Sequence, residues 1–574
     1  MSGVSMKKAA YAVTKVEMMK VICSRSYHIS MKRGIQTYGD KAKESIFAEV
    51  EAMEKKGVFT PVHFKDLTHK QKTKAIRSFM FMKEKKKPDG SFDKLKSRLT
   101  ANGKSQNREE VEMMFGNTSS PTIAFSSLLS IIAIAKAEGR KMATVDIKNA
   151  YLNADLSSEG LVLVIDATVA AEYLKLRPDA AQYLNAKGEL YCLLNKALYG
   201  TVEGAKAWYD DIADFLKHNG FTPNSSDSCV FNVDIDGTQM TIGVYVDDLY
   251  ITCESEELID YFHQALLDEY AEVSFSKEIK LDYLGMVIDS NNKDFVEISM
   301  PSYVQSVIDD LDVKENETSD SPAAVDLFNI KTNDVRLGGD EKDKFHTMVA
   351  KILYLAKHAR PDLLLASTFL CTRVQCPGKD DWKKLKRIGR YLNGSKDLFL
   401  RIGNDCVDVD NNKENTVNVN VYVDASFAVH DTMRSHTGAI ISIGGVPVFY
   451  KSSKQGLNAN SSTQAEIIGI SQILPQAVST AEFIKEQMNR KVNVNFYEDN
   501  KSTIAMMKNG RPKAENTRHI NIRYFLIHDY MERGEIDLQY VATDEQHCDY
   551  FTKPLQGQSF KYHRNYIMGH INGN

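Results

Sequence analysis

Three stretches of the chain alternate apolar and polar residues with a period of two, which predicts β-strands with one buried face. They are residues 240–246, 417–424 and 492–498. Acidic side chains stand at the end of each stretch, namely Asp247 with Asp248, Asp424, and Asp499. Because a strand holds its backbone in a sheet, the pattern predicts carboxylates at fixed positions along sheet edges.

Other stretches carry apolar residues at helical spacing. One predicted helix has Ser120 as its N-cap residue, Pro121 in its first turn and Gly139 as its stop signal. Further helices are predicted at residues 346–363, at 382–392 and from Ser462 onward. Glu466 therefore lies near the N-terminus of the last of these helices.

Asp247 and Asp248 are expected at the tip of a tight hairpin, because residues 249–251 predict a second strand directly after them. Adjacent carboxylates repel each other and tend toward the protonated form unless a cation separates them. Hard oxygen ligands suit Mg²⁺. Asp146 ends another predicted strand, at residues 143–147, and offers a third carboxylate. At a random surface turn an Asp-Asp pair usually has no such role.

The aromatic-apolar-Asp-Asp sequence at 245–248, with Asp146 upstream of it, resembles motifs C and A of reverse transcriptases. The resemblance implies two-metal-ion chemistry with two Mg²⁺ ions in each active site, and Mn²⁺ can substitute. The metal ligands that it implies are Asp146, Asp247, Asp248 and the backbone carbonyl of Ile147. It also implies that Tyr151 is the aromatic gate that excludes a ribose 2′-hydroxyl; the alternative is an ordinary core aromatic.

Residues 193–200 and 205–209 resemble motif B of copia-type retrotransposon reverse transcriptases. The resemblance implies that Tyr199 and Gly200 line the nucleotide site, and that Gly200 lets the backbone approach the ligand closely. Val202 and Glu203 depart from the family, which has Lys and Gln at these positions. We expect this loss of positive charge to weaken template binding.

Residues 65–108 are strongly basic, with fourteen lysines and arginines against four acids. A Pro-Asp-Gly turn signal at 88–90 separates two strand-like runs, so the basic residues are predicted on a projecting hairpin. A lysine run is most often a solvated face. In the reverse transcriptase reading this is the fingers hairpin, and Lys96 and Arg98 bind the triphosphate. Asn102 replaces a further basic residue of the family.

The segment from Lys280 to Gly285 resembles the strand turn that grips the primer end. Lys277 or Lys280 is a candidate general acid that protonates the leaving pyrophosphate. The helix predicted at 382–392 carries five basic residues beside an apolar stripe. It fits either a thumb that follows the duplex or a packed helix with its lysines extended to solvent.

The C-terminal part of the chain resembles RNase H, with four acids at element ends in the order strand, strand, strand, helix, strand, helix. The metal-binding and catalytic acids that this implies are Asp424, Glu466, Asp499 and Asp549. His519 matches a family histidine that assists product release, although a structural role is equally consistent. The sequence Cys548-Asp549-Tyr-Phe-Thr-Lys-Pro-Leu555 resembles the end of copia-type elements, with Cys548 in place of Ala.

The fold class that follows is a multidomain α+β and α/β protein: a right-hand polymerase followed by an RNase H-like α/β domain. The predicted divisions are a loosely ordered lead-in (1–44), fingers and palm (45–295), thumb or connection (296–403), a polar linker (404–416), RNase H (417–560) and a C-terminal tail (561–574).

The resemblance implies an RNA- and DNA-directed DNA polymerase with RNase H activity, which acts on an RNA template, a DNA primer, dNTPs and the RNA/DNA hybrid. The formal net charge of −4 would argue against nucleic acid if the charge were spread evenly, but the basic hairpin concentrates positive charge locally. Eight cysteines without pairing patterns indicate a reducing intracellular compartment, and for a retrotransposon this means cytoplasmic virus-like particles with import into the nucleus left open. No membrane span is predicted, and oligomerisation is left open.

Three interpretations remain at this point. The first is an active reverse transcriptase with RNase H. The second is a non-catalytic, nucleic-acid-binding remnant, favoured by Val202, Glu203 and Asn102. The third is a polymerase of another lineage, such as an intron maturase, against which the RNase H half argues.

Overall fold

The structure is a computed structural model that describes residues 28–86, 92–106, 109, 111–112, 120–156, 160–403, 416–509 and 518–570. Its strands, in chain order, are β1 (His28–Ser30), β2 (Phe59–Val62), β3 (Ile76–Lys86), β4 (Phe92–Ala101), β5 (Lys141–Ile147), β6 (Val162–Ile165), β7 (Leu190–Leu194), β8 (Thr222–Pro223), β9 (Val230–Ile235), β10 (Thr238–Tyr245), β11 (Asp248–Cys253), β12 (Val273–Ser276), β13 (Lys280–Tyr283), β14 (Met286–Asp289), β15 (Phe295–Ser299), β16 (Leu400–Gly403), β17 (Thr416–Ser426), β18 (His436–Ile443), β19 (Val446–Lys454), β20 (Lys491–Glu498) and β21 (Asp537–Tyr540).

The helices are α1 (Met31–Tyr38), α2 (Asp40–Lys55), α3 (His69–Lys74), α4 (Phe125–Ala137), α5 (Ala167–Leu176), α6 (Gly204–His218), α7 (Glu256–Tyr270), α8 (Pro301–Asp310), α9 (Gly339–His358), α10 (Leu364–Cys371), α11 (Lys379–Asn393), α12 (Ser462–Met488), α13 (Lys501–Asn509), α14 (Arg518–Glu532), α15 (Asp549–Thr552) and α16 (Gly557–Ile567). The fold is thus mixed α and β, as predicted.

The first sheet has the order β1-β3-β6-β7-β2, with β4 paired to β3. The long β3–β4 pair confirms the predicted basic hairpin, whose tip lies outside the described residues. The expected loose lead-in is wrong for residues 28–44. This stretch forms β1, α1 and the start of α2, because Ala42 and Ile46 are buried against the sheet.

The second sheet has the order β12-β5-β11-β10-β9-β8, and α4 packs in the same hydrophobic core. The predicted start of α4 is wrong. The helix begins at Phe125 with Ala124 as its N-cap residue, not at Ser120. The reason is a long-range contact: Ile123 donates its N–H to the Val244 carbonyl of β10 at 3.0 Å, which keeps the preceding residues extended.

A third, antiparallel sheet, β13-β14-β15-β16, packs against α4 through β15 and β16, while helices α8 to α11 pack against one another. The basic side chains of α11 are largely engaged within the protein. Lys384 reaches the Asn329 carbonyl at 2.6 Å, Arg387 the Ser321 carbonyl at 3.1 Å, and Arg390 pairs with Glu317 at 3.4 Å. This favours the packed-helix interpretation of α11 over a duplex-following one.

The fourth sheet has the order β19-β18-β17-β20-β21, in which β17, β20 and β21 are parallel and the remaining pairs antiparallel. Helix α12 packs across β17, and Val419, Val421 and Val423 face it from a fully buried stripe. The prediction that a C-terminal tail begins at residue 561 is wrong. Helix α16 continues to Ile567, and Phe560 and Ile567 are buried.

Helix α12 also joins the fourth sheet to the second. The Gln487 amide donates to Thr241 Oγ1 at 2.6 Å and to Asn232 Oδ1 at 2.7 Å, and Ser225 N–H donates to Glu486 at 3.0 Å. Phe483 belongs to the same hydrophobic core as the second sheet. These contacts make one continuous body of the two sheets.

By length and composition α12 could cross a membrane, and it is the one helix among the described residues that meets that test. Its most apolar window is 61% buried inside the protein. The sequence predicts no such segment, because none of its apolar runs approaches the roughly 20 residues that are needed to span a bilayer.

Candidate active sites

The first candidate site lies where β5, β10 and β11 meet. β10 and β11 form the predicted hairpin, with Tyr245 paired to Asp248. On the other side of β11, Asp248 is the direct cross-strand partner of Asp146 in β5. Directly opposed residues on one face place their Cβ atoms about 4.5–5.5 Å apart. The register therefore brings Asp146 and Asp248 together, with Asp247 next to them at the tip.

The tip of this hairpin is fixed by side chains from other elements. Val246 has a φ of +59°, in the left-handed region that a β-branched residue rarely adopts. The indole N–H of Trp208 in α6 donates to the Val246 carbonyl at 2.7 Å, and Ile147 N–H donates to the Asp247 carbonyl at 2.9 Å. These two bonds hold the strained tip and its acids in one position.

Two tyrosines predicted to line the nucleotide site lie together. The rings of Tyr151 and Tyr199 are 4.4 Å apart, and the Arg98 guanidinium lies 4.1 Å from the centre of the Tyr199 ring. Burial raises the pKa of Tyr199 to about 12, with Arg98 opposing the shift and Asp247 adding to it. The buried Tyr199 hydroxyl has no hydrogen-bond partner. Arg98 of the basic hairpin thus stacks on the pair of tyrosines.

Lys96 lies on the same strand as Arg98 and is exposed. Gly200 has a φ of +90°, and a Cβ there would meet the Ala101 carbonyl oxygen at 2.2 Å. The close approach that Gly200 permits in the structure is to the backbone of β4, and its approach to a ligand stays a prediction. A hydrogen bond from Ala101 N–H to the Tyr199 carbonyl, 2.8 Å, joins the same two segments.

Glu203 was expected to weaken template binding, which requires its side chain to face solvent. It does not. Its side chain is buried, and Gln106 donates to its carboxylate at 2.9 Å. The same Gln106 side chain accepts the Val202 N–H at 2.9 Å. Gln106 therefore holds the Val202 backbone and the Glu203 side chain inside the protein, which the linear sequence does not reveal.

Both candidate general acids form ion pairs within the protein. Lys277 pairs with Glu256 at 2.7 Å and with Asp260 at 2.9 Å, and Lys280 pairs with Asp289 at 3.0 Å. Gly285, with a φ of +77°, closes the tight β13–β14 turn together with Leu284.

That turn lies beside the acidic hairpin. Burial raises the pKa of Tyr283, the last residue of β13, and the charge of Asp248 adds to the shift. The Tyr283 ring is 5.3 Å from that of Tyr250 in β11.

The second candidate site lies on the fourth sheet. It is formed at the ends of elements, with Asp424 in β17, Glu466 in the first turns of α12, Asp499 directly after β20 and Asp549 at the start of α15. Asp424 and Glu466 are almost fully buried, at 3% and 5% exposure. His519 lies in α14, and its side chain is outside the described residues.

Neighbours of Asp549 control the charge at this site. Lys553 places its ammonium 2.5 Å from Asp549 Oδ1 and 3.9 Å from Asp424 Oδ1, and Thr552 donates to the other Asp424 oxygen. Burial raises the pKa of Asp424 to about 6, against the attraction of Lys553. Lys553 and Thr552 stand in the motif that predicted Asp549, yet their contact with Asp424 was not foreseen.

Sequence reasoning also missed Glu498, the last residue of β20. Its side chain has no exposed surface; Oε1 accepts Asn500 N–H at 3.0 Å, while Oε2 has no hydrogen-bond partner. Burial raises the pKa of Glu498 and, together with the charge of Glu498, that of Glu466. Strand alternation was the available signal, because Val494, Phe496 and Glu498 share the inner face.

Within the described parts of the chain, no three acidic, histidine or cysteine side chains already stand in a metal-binding arrangement. The donor chemistry nevertheless fits a hard divalent cation. The first site offers carboxylates and a backbone carbonyl, and in the second the Oε2 atoms of Glu466 and Glu498 are buried without a partner. A buried oxygen without a donor is costly, and a cation would satisfy it.

Known proteins resemble this chain over most of its length. The Pol polyprotein of transposon TNT 1-94 from Nicotiana tabacum is 24% identical, over 91% of this chain and 37% of the polyprotein. That of transposon RE2 from Arabidopsis thaliana is 26% identical, over 82% and 30%. The chain thus spans about a third of the length of these relatives. Among solved structures, the prototype foamy virus protease-reverse transcriptase is 14% identical over 90% of this chain and 55% of its own, with a TM-score of 0.25.

The sequence profile of the reverse transcriptase (RNA-dependent DNA polymerase) family matches residues 64–325. This range contains the first candidate site with its three acids, the paired tyrosines and the basic hairpin. The profile match and the transposon relatives agree with the motifs of the sequence, and the chain is similar to the reverse transcriptases of copia-type LTR retrotransposons.

Proposed function

We propose that this chain is an RNA- and DNA-directed DNA polymerase with RNase H activity, which copies retrotransposon RNA into DNA and degrades the RNA of the hybrid. The observation that carries the polymerase assignment is the register of β5 and β11, which opposes Asp146 to Asp248 beside Asp247. The proposal keeps the predicted inner domains, with the palm on the second sheet and RNase H on the fourth, and changes the lead-in and the C-terminal tail as described above.

In the polymerase site, Asp146, Asp247, Asp248 and the Ile147 carbonyl would hold Mg²⁺. The bound ions would activate the primer hydroxyl and stabilise the departing pyrophosphate. The role of the chain itself is positioning. Trp208 and the β5 backbone hold the tip of the hairpin, so that the carboxylates keep one geometry through the reaction.

The nucleotide is held and selected by the neighbouring side chains. Lys96 and Arg98 bind the triphosphate, and Arg98 is kept in place by its stacking on Tyr199. The ring of Tyr151, packed against Tyr199, fills the space that a ribose 2′-hydroxyl would need. The primer end lies against the β13–β14 hairpin, which contains Lys280 and Gly285.

In the RNase H site, Asp424, Glu466, Asp499 and Asp549 would hold Mg²⁺ or Mn²⁺, with His519 assisting product release. Lys553 balances part of their charge and holds α15 to β17. RNA template, DNA primer, dNTPs and RNA/DNA hybrid are the partners. The location that follows is the cytoplasmic virus-like particle.

The test is primer extension on poly(rA)/oligo(dT) with Mg²⁺, with hybrid cleavage measured on the same protein. We expect both activities, and we expect extension to be lost in the Asp146→Asn variant. Binding of the hybrid with neither extension nor cleavage would reject the proposal and support a nucleic-acid-binding remnant.

A further inference from the structure

Glu498 is a fifth buried acid at the proposed RNase H site. Its side chain is completely buried, although it ends a strand whose next residue, Asp499, is partly exposed. One carboxylate oxygen is satisfied by the Asn500 backbone, and the other has no partner. A carboxylate is seldom buried in this way unless it is paired or coordinates a metal.

The strand register directs Glu498 toward Glu466. Tyr422 of β17 pairs with Tyr497 of β20, so the next residues, Val423 and Glu498, lie together on the opposite face. Helix α12 covers that face, since a Cβ on Gly469 would lie 3.2 Å from Val423. Glu466 precedes Gly469 by three residues and lies on the same side of the helix.

The two glutamates share one deficiency. Glu466 Oε2 is also buried without a hydrogen-bond partner, and the charges of Glu498 and Asp424 both act on it. Lys553 pairs with Asp549 and Asp424. It does not donate a hydrogen bond to Oε2 of Glu466 or of Glu498. Two orphaned carboxylate oxygens from adjacent elements are the ligand type that Mg²⁺ and Mn²⁺ prefer.

We infer that Glu498 is a direct ligand of a divalent cation in the RNase H site, where its Oε2 acts together with Glu466 Oε2. This inference rests on the proposed function, and it assigns the site one ligand more than the four acids of the motif. Asp499 follows Glu498 and lies on the other face of the strand end, where it is partly exposed. The extra ligand makes the site more strongly anionic than one built from the motif acids alone.

The experiment measures Mn²⁺ binding to the full chain by titration calorimetry and by electron paramagnetic resonance. All variants carry Asp247→Asn and Asp248→Asn, so that the polymerase acids do not contribute. Glu498→Gln removes the charge and keeps an acceptor for Asn500. Asp424→Asn is the positive control, and Glu482→Gln, an exposed acid of α12, is the matched negative control.

We expect Glu498→Gln to weaken Mn²⁺ binding by at least about tenfold, Glu482→Gln to leave it unchanged, and Glu498→Asp to restore part of the loss. The melting temperature in EDTA should not fall in Glu498→Gln, since a buried unpaired charge is removed, and this shows that the variant is folded. If Asp424→Asn abolishes binding while Glu498→Gln binds like the parent, the inference is wrong and the proposed function stands. Absence of Mn²⁺ binding in the parent would overturn both.

Discussion

The ammonium group of Lys553 lies 2.5 Å from Oδ1 of Asp549 and 3.9 Å from Oδ1 of Asp424. The two acids come from α15 and β17, more than a hundred residues apart in the chain. Thr552 adds a hydrogen bond to Asp424 from the same short helix. The lysine therefore relieves the repulsion between two carboxylates and also attaches the last part of the domain to its central strand.

We expect Lys553→Gln to lower the free energy of unfolding by about 1–2 kcal/mol in EDTA, because it removes a partly buried ion pair. Thermal unfolding followed by circular dichroism measures the effect, and Lys561→Gln on the exposed side of α16 is the control. Saturating Mg²⁺ should reduce the difference, since it supplies the missing positive charge. An equal loss with and without Mg²⁺ would show that the lysine has a packing role only.

The two proposed sites should be separable by single substitutions. Asp247→Asn should abolish primer extension and leave hybrid cleavage, whereas Asp499→Asn should leave extension and stop cleavage. Asn keeps the shape of Asp but cannot hold a catalytic cation as a carboxylate does. Extension at the parent rate by Asp247→Asn would refute the polymerase site, and cleavage at the parent rate by Asp499→Asn would remove Asp499 from the RNase H site.

Tyr151→Ala should allow incorporation of ribonucleotides, because it opens the space beside Tyr199. Tyr151→Phe keeps the ring and should still reject them. The measurement is the ratio of rNTP to dNTP incorporation in single-nucleotide extension. If the Ala variant discriminates as strongly as the Phe variant, Tyr151 is a core aromatic and not the gate.

The motif B departures should behave differently from each other. Val202→Lys should tighten template-primer binding and steepen the dependence of log K on log salt by about 0.9, the value for one added phosphate contact. Glu203→Gln should leave that slope unchanged, since residue 203 is buried against Gln106. A steeper slope in the Glu203→Gln variant would mean that this side chain faces the nucleic acid after all.

The stability of the metal-free protein should depend on pH through the ionisation of Asp424. Burial raises the pKa of this acid to about 6 in the folded protein, compared with about 3.9 in an unfolded chain. The folded state then holds more protons, so the contribution of Asp424 to stability is lost as pH rises from about 4 to about 6. Asp424→Asn lacks this loss.

Between pH 4 and pH 7 in EDTA, the free energy of unfolding of Asp424→Asn should therefore rise relative to that of the parent by on the order of 2 kcal/mol. Comparing the two proteins cancels the opposite effect of buried His430 and His436, whose pKa values burial lowers to about 4 and about 3. Urea unfolding at each pH measures the difference. A difference that does not change with pH would contradict the shift.

The sequence predicts those features of the structure that depend on neighbouring residues in the chain. The hairpin at Asp247 and Asp248 was predictable because strand alternation and turn residues lie next to each other in the sequence. The start of α4 was not, because Ile123 is held by β10, more than a hundred residues away. Glu203 was misread for the same reason, since its partner Gln106 belongs to another segment.

The RNase H site shows the same division. Asp424, Glu466, Asp499 and Asp549 are predicted for this proposed site because each stands at or near the end of an element within a recognisable motif. Glu498 was passed over, although its place in the alternation of β20 marked it as inward-facing. What makes it notable is the packing of α12 over that face, which no periodicity in the sequence expresses.

The hydrogen bonds of Gln487 with Thr241 and Asn232 fix the distance between the second and fourth sheets. With the second and fourth sheets fixed in one body, the path along a duplex from the proposed polymerase acids to the proposed RNase H acids would have a constant length. Cuts made while the primer end is seated would fall at one number of base pairs behind it, whatever the RNA sequence. The size of the RNA fragments would then be set by α12, and loosening this junction would broaden the distribution of sizes.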